Sequence, residues 1–248
     1  MPQFFIKKEN IINNNKIEIT NPSDINHISR VLRLGKNDEL MLIAPDGYVY
    51  ETQIKSLNKD SIITQILDKY LSNKKLNINI TLAQSIIKSQ KQDILIQKAS
   101  ELGVRTIIPM ISKNTVVKFQ HDKDKNSKVQ RWQKISYEAS KQCKKIEITG
   151  ICDIIKFEEM IKTEGYDVKI ACVERAAEIS IKAALSEFKN SNHQNILLVI
   201  GPEGGWSDEE LSLFNEYGFK KASLGNLILR AETAAVTAIS NIIYEYEI

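Results

Sequence analysis

The sequence predicts an α/β protein: a mostly parallel sheet over the last two-thirds of the chain, with a small β-barrel ahead of it. Three observations carry this reading. Residues 1–70 hold several short β-branched runs separated by turn signals, with one helix among them. From residue 78 onward, strand-like and helix-like patterns alternate, as they do in βαβ units. The run 196–200, Ile-Leu-Leu-Val-Ile, is apolar throughout, the habit of a parallel strand covered on both faces.

Residues 4–7 and 16–20 read as short strands. Asn21-Pro22 sets a capping residue before proline at the first helical position, and Gly35 lies just past Arg33, so a helix is predicted up to Arg33. Segments 38–45 and 48–57 flank Asp46-Gly47, a strong hairpin turn, and 61–67 is another β-branched run. Residues 71–77 are polar and lysine-rich and read as a linker. The predicted domains are therefore 1–72 and 73–248. In the second domain strands are predicted at 78–84, 105–111, 168–173, 196–200 and 222–224. Helices are predicted at 90–102, 127–145, 157–164, 179–188, 207–217 and 231–246. Gly103 closes the first of these helices, and Ser207 followed by Glu210 is a capping-box sequence.

The composition fits a folded chain. Of 248 residues, 42% are hydrophobic, and there are 10 glycines and 5 prolines, which excludes collagen-like and low-complexity classes. Apolar runs fall far short of the ~20 residues of a membrane span. The start, Met1-Pro2-Gln3-Phe4-Phe5-Ile6-Lys7-Lys8, has the charge order of no signal peptide, so a cytoplasmic location is expected. Cys143, Cys152 and Cys172 form no C-x-x-C pair, so neither a disulfide framework nor a metal cluster is expected. The net charge of +3 hides an uneven distribution. Residues 73–145 carry 16 basic and 5 acidic side chains, against 9 and 17 in 146–248. That central block suits a polyanion; on charge alone, a solvated lysine-rich face has equal weight.

Two stretches carry chemistry. The first, Leu197-Leu198-Val199-Ile200-Gly201-Pro202-Glu203-Gly204-Gly205-Trp206-Ser207, runs from the apolar strand through a glycine loop into a capped helix. Its glycines let a ligand approach the main chain. It is neither a Walker A loop nor a G-x-G-x-x-G fingerprint, and Glu203 disfavours a purely anionic ligand. The second, Ser223-Leu224-Gly225-Asn226-Leu227-Ile228-Leu229-Arg230-Ala231-Glu232-Thr233-Ala234-Ala235, leads into the last helix and sets Gly225, Arg230, Glu232 and Thr233 at its start. Either loop alone has an ordinary explanation, a glycine turn or a local ion pair. Both follow strands of one domain, however, and strand carboxyl ends gather at one edge of an open sheet.

Together these stretches resemble the 16S rRNA uridine-N3 methyltransferases (RsmE type), part of the SPOUT class of knotted enzymes that use S-adenosylmethionine. The resemblance spans nearly the whole chain. It includes His27-Ile28-Ser29-Arg30-Val31-Leu32-Arg33, Gln97-Lys98-Ala99-Ser100-Glu101-Leu102-Gly103-Val104 and Glu138-Ala139-Ser140-Lys141-Gln142-Cys143. It implies a PUA-like β-barrel at 1–72, a methyltransferase domain at 73–248 with a deep trefoil knot, and a homodimer. The implied substrate is a uridine of 16S rRNA in the decoding region of the small subunit, methylated on N3. The implied cofactor contacts are Leu198, Ile200, Gly201, Pro202, Glu203, Gly204, Gly205, Leu224, Gly225, Leu229, Arg230, Glu232, Thr233 and Ala234.

A methyl acceptor that loses a proton calls for a cation to hold the developing charge or for a base. Arg230 is the cation candidate, and Glu232 or Glu203 the carboxylate; a structural role for both glutamates stays open. For RNA, Arg30 and Arg33 are expected on one helix face at i, i+3. Lys88, Lys91 and Lys98 of the basic block are further candidates. The chain departs from the family pattern at Gln3, Asn114 and Lys145, where arginine is usual, and at Thr149, where proline is. Two other functions stay open: an inactive rRNA-binding or assembly factor on the same fold, and a SPOUT methyltransferase acting on tRNA.

Overall fold

The computed structural model describes residues 1–13, 15–72, 74–187 and 195–248. Position 73, inside the expected linker, and Phe188, the expected end of one helix, lie outside these residues. The chain divides into one unit of Met1–Lys75 with Ser140–Glu147 and another of Leu76–Ala139 with Ile148–Ile248.

The first unit contains strands β1 (Gln3–Phe5), β2 (Ile11–Asn13), β3 (Lys16–Ile19), β4 (Glu39–Ile43), β5 (Tyr48–Leu57) and β6 (Ile62–Leu71), with helix α1 (Pro22–Asn26) after β3. Among the described residues the strand order is β1-β4-β5-β6-β3-β2, antiparallel except for β1 beside β4. Register shifts between β5 and β6 bend the sheet. The bend lets Phe4 of β1, Leu40 and Leu42 of β4, Ile54 of β5 and Ile17 of β3 share one apolar core. Strands far apart in the order thus face one interior, as in a barrel.

The expected helix up to Arg33 is shorter than the sequence suggests. Asn21 caps α1 by accepting from the amides of Ser23 and Asp24. A widened turn, His27–Val31, follows, in which the Leu32 amide reaches back to the His27 carbonyl at 2.9 Å. Arg33 then turns left-handed (φ 55°), and the Leu34 amide closes on the Ile28 carbonyl at 3.0 Å. Arg33 is therefore off the helix, and the i, i+3 face expected for Arg30 and Arg33 does not form. Both arginines are exposed.

The second unit contains β7 (Asn79–Ser85), α2 (Ser89–Glu101), β8 (Thr106–Ile111), α3 (Asp122–Gln142, whose last three residues belong to the first unit), β9 (Gly150–Ile151), β10 (Ile155–Lys156), α4 (Phe157–Met160) and β11 (Val168–Cys172). It continues with β12 (Ile179–Ser180), α5 (Ile181–Ser186), β13 (Asn195–Ile200), α6 (Asp208–Glu216), β14 (Lys220–Ser223) and α7 (Ala231–Glu247). Among the described residues its sheet runs β10-β8-β7-β13-β11-β14-β12, with β9 also on β8, and every pairing is parallel.

Alternate residues of the central strands feed two cores. Ile196, Leu198 and Ile200 face the side covered by α2, α5 and α7, together with Ala235, Ile239 and Ile242. Leu197 and Val199 face the opposite side with Phe157, Leu211 and Phe214 of α4 and α6. Burial on both faces explains why 196–200 is apolar at every position.

Other boundaries differ from the sequence reading. Helix α3 starts at residue 122, not 127; Asp122 and Asp124 favour its N-terminus. It stops at 142 because Lys144 is left-handed (φ 58°) and the Lys145 amide bonds the Ser140 carbonyl at 3.3 Å. Helix α4 is a single turn. Residues 179 and 180 form a strand before Ser180 caps α5, accepting from the Ala183 amide at 3.2 Å.

Candidate active site

Strands β11, β13 and β14 are adjacent in the second unit, and the loops leaving their carboxyl ends enclose one cavity of about 560 Å³. Ile200, Gly201, Pro202, Glu203, Gly204 and Gly205 line it from the first loop. Leu224, Gly225, Leu229, Arg230 and Ala234 line it from the second. The two stretches singled out in the sequence thus face one space. Leu198 does not reach it: the pleat turns this side chain into the core under α7. Glu232 and Thr233, in the first turn of α7, are not among the lining residues, and Thr233 is exposed.

The first loop is built around Trp206. Its indole Nε1 donates to the Cys172 carbonyl at 3.0 Å, and its ring meets Phe214 edge-on at 4.9 Å. A Cβ on Gly201 would stand 2.9 Å from that ring, so Gly201 admits the indole rather than a ligand. Gly205 has φ +70°, and a Cβ there would meet Glu174 Oε1 at 2.5 Å. The loop then enters α6 through the expected capping box. Ser207 Oγ accepts from the Glu210 amide at 3.3 Å, and Glu210 Oε2 accepts from the Ser207 amide at 2.9 Å.

The second loop is more open. Gly225 has φ +126°, is exposed, and a Cβ on it would meet nothing within 4 Å. This glycine is the one whose missing side chain leaves free space along a wall of the cavity. Arg230 is the N-cap of α7, exposed, and among the described residues its guanidinium pairs with no carboxylate.

Of the lysines expected on RNA, Lys88 lines the cavity as the N-cap of α2. Lys91 also lines it, but its ammonium is engaged by Glu203 at 3.1 Å and Glu232 at 3.6 Å. Lys98 lies outside the cavity and pairs with Glu101 at 2.8 Å.

Sequence reasoning missed Glu174, Val116 and Cys172, which also line the cavity. Glu174 follows β11, so the rule that united the other two loops was enough to find it. Cys172 is closed off in chemistry: burial pushes its thiol up to about 12.

Two departures from the family pattern make defined contacts. Gln3 Nε2 donates to the Lys145 carbonyl at 2.7 Å within the first unit. Asn114 Nδ2 donates to the carbonyls of Gly205 at 3.0 Å and Gly204 at 3.3 Å. Neighbouring Lys113 does not supply a free charge in its place, because its ammonium pairs with Glu209 at 2.9 Å. That ammonium holds the Glu209 carboxyl down to about 2.

An RNA methyltransferase domain matches residues 74–243, and an RNA methyltransferase PUA domain matches residues 19–67. The chain is 31% identical to the ribosomal RNA small subunit methyltransferase E of Mesomycoplasma hyopneumoniae, covering 98% of this chain and 99% of that protein. The chain belongs to the ribosomal RNA small subunit methyltransferase E family. Identity to the methyltransferase E of Bacillus subtilis is 29%, over 100% of this chain and 98% of that one. Among solved structures, the methyltransferase E of Neisseria gonorrhoeae bound to S-adenosyl methionine is similar at a TM-score of 0.87. It is 27% identical, with 99% of this chain and 98% of that chain covered. Membership makes the chain an RNA methyltransferase with an N-terminal PUA domain.

Proposed function

We propose that this methyltransferase E family member transfers a methyl group from S-adenosylmethionine to N3 of one uridine in 16S rRNA of the small subunit. The observation that carries the proposal is the joining of two loops, distant in sequence, around one cavity at the strand carboxyl ends. The cavity suits a zwitterionic nucleoside cofactor. Its volume lies in the range of about 300–1,000 Å³ usual for small-molecule sites. Ile200, Leu224, Leu229 and Ala234 offer apolar walls, the main chain at Gly225 is open, and Glu174 and Glu203 offer carboxylates to a positive ligand.

S-adenosylmethionine supplies an electrophilic methyl when bound. The chain's task is to hold the two reactants and to stabilise charge. Ile200, Gly205, Leu224, Gly225 and Leu229 are the proposed cofactor contacts. Arg230, which lines the cavity and makes no ion pair among the described residues, is the proposed holder of negative charge on the pyrimidine as its N3 proton leaves. Glu203, which lines the cavity, or Glu232 behind it is the proposed carboxylate to accept that proton. Glu232 stands behind the cavity lining, with Oε1 toward Lys91 at 3.6 Å and Oε2 buried without a hydrogen-bond partner among the described residues.

Lys88, Arg30 and Arg33 are the proposed phosphate contacts, and the target base leaves its stack to reach the cavity. A homodimer is part of the same reading; Leu227 and Ile228, 81% and 80% exposed at the cavity rim, are suited to a partner chain. A trefoil knot and a cytoplasmic setting complete it. Among the described residues no helix is long and apolar enough to cross a membrane, and no cluster of metal ligands occurs.

Calorimetry with S-adenosylmethionine tests the cofactor, and nucleoside mass spectrometry of unmodified small subunits after incubation tests the product. Binding with no transfer would favour an inactive rRNA-binding or assembly factor, and transfer to tRNA alone would move the substrate.

A further inference from the structure

We propose that Lys91 is a positioning residue for methyl transfer, acting through Glu203 and Glu232, and not a contact to RNA phosphate. The inference rests on the methyltransferase reading above and assigns a role within its site.

Three elements converge on one ammonium. Lys91 projects from the first turn of α2, Glu203 from the loop after β13, and Glu232 from the first turn of α7. The Nζ lies 3.1 Å from Glu203 Oε1 and 3.6 Å from Glu232 Oε1. Side-chain exposures are 34% for Lys91, 23% for Glu203 and 19% for Glu232, so water screens the group only in part. Two carboxylates against one ammonium leave the cluster net negative. A phosphate brought to this ammonium would meet that negative charge, which disfavours the RNA contact read from the sequence.

The second observation is the asymmetry of Glu232. Its Oε1 faces Lys91, while its Oε2 is buried with no partner among the described residues. The ammonium draws one oxygen toward Glu203 and the other stays enclosed, so Lys91 biases the orientation of the whole carboxylate. It also ties the glycine loop to the start of α7, and both line the cavity. Without Lys91, Glu203 and Glu232 become like charges with no cation between them. They then separate or recruit another cation, and Glu232 loses its fixed orientation.

The test compares wild type, Lys91→Met, Lys91→Arg, Glu232→Gln and the Lys91→Met/Glu232→Gln double variant. Each is assayed for kcat and for KM toward RNA. RNA affinity is also measured without turnover across a salt series, and folding is checked by thermal melting. Lys91→Met is expected to lower kcat about tenfold or more, within the range of a misplaced acid–base group. Its RNA affinity and salt slope are expected to match wild type. The double variant is expected to be no slower than Glu232→Gln alone, because both changes remove one device. Lys91→Arg is expected to recover much of the rate.

A salt slope reduced by about one in Lys91→Met would make Lys91 a phosphate contact and overturn the proposal. Rate losses that multiply in the double variant would also overturn it. So would equal losses in the Met and Arg variants with a matching fall in melting temperature, which would leave only a structural ion pair. An inert wild type would bring down the methyltransferase reading and this proposal with it, whereas these outcomes in an active wild type remove the proposal alone.

Discussion

The side-chain amide of Asn114 holds the Gly205 carbonyl at 3.0 Å and the Gly204 carbonyl at 3.3 Å, steadying the cavity's first loop from outside. A Cβ on Gly204 would lie only 3.0 Å from the Asn114 Cβ, so the two backbones are as close as glycine allows. Asn114→Ala removes both hydrogen bonds while leaving the fold. The freed loop must reorder on binding, at a cost of at most the roughly 1 kcal/mol each bond contributed, so affinity for S-adenosylmethionine is expected to fall by up to about thirtyfold, read by calorimetry. A melting temperature that drops while affinity stays constant would show that Asn114 serves stability alone.

Gly201→Ala tests the indole's place. The added methyl would meet the Trp206 ring at 2.9 Å, and that ring is held by the Cys172 carbonyl and by Phe214. Neither neighbour yields easily, so a loss of about 1–3 kcal/mol is expected, the usual cost of overpacking. Denaturant unfolding measures it, and a shift in Trp206 fluorescence should accompany it. Unchanged stability would mean that the ring moves freely and that the loop is less rigid than its contacts imply.

Much of this architecture was legible in the chain itself. The apolar run 196–200 announced a strand covered on both faces, and Ser207 with Glu210 announced the cap of α6. Both depend on neighbours close in sequence. What could not be read depends on residues far apart. Nothing near Lys91 hints that Glu203 and Glu232 would claim its ammonium, because the sheet order brings them together. Leu198 was expected at the cofactor from the family resemblance, but strand pleating turns its side chain into the core. Lys144 ends α3 in a left-handed conformation without glycine, so no local signal marked that stop, and Gly35 marked the end of the first helix two residues beyond its left-handed turn at Arg33. Glu174 was legible in principle, through the same strand-end rule that joined the two loops.

Arg230→Ala is expected to lower turnover more than it lowers affinity for S-adenosylmethionine. Its guanidinium is exposed at the rim and makes no ion pair among the described residues, so its removal strands no buried charge. A loss of about 100-fold in kcat, of the order seen when one charge-stabilising donor is removed, is expected with affinity nearly constant. Equal losses in rate and affinity would make Arg230 a cofactor ligand instead.

Cys172 gives a pH signature. Burial holds its thiol up to about 12, whereas an unfolded cysteine titrates near pH 8.5. The folded chain therefore keeps a proton that the unfolded chain loses as pH rises through that window, and stability declines there. Melting temperatures between pH 8 and pH 10 should fall less steeply for Cys172→Ala than for wild type. The native thiol should also resist alkylation over that range while exposed Cys152 reacts first. Early labelling of Cys172 would show that this wall of the cavity opens readily.

The decisive measurement is nucleoside analysis of 16S rRNA from small subunits that lack the modification, after incubation with the purified protein and isotopically labelled S-adenosylmethionine. The label should appear in 3-methyluridine at a single site and should vanish when the cofactor is withheld. Label in 5-methyluridine or on a ribose oxygen, or none at all from protein that binds the cofactor, would contradict it.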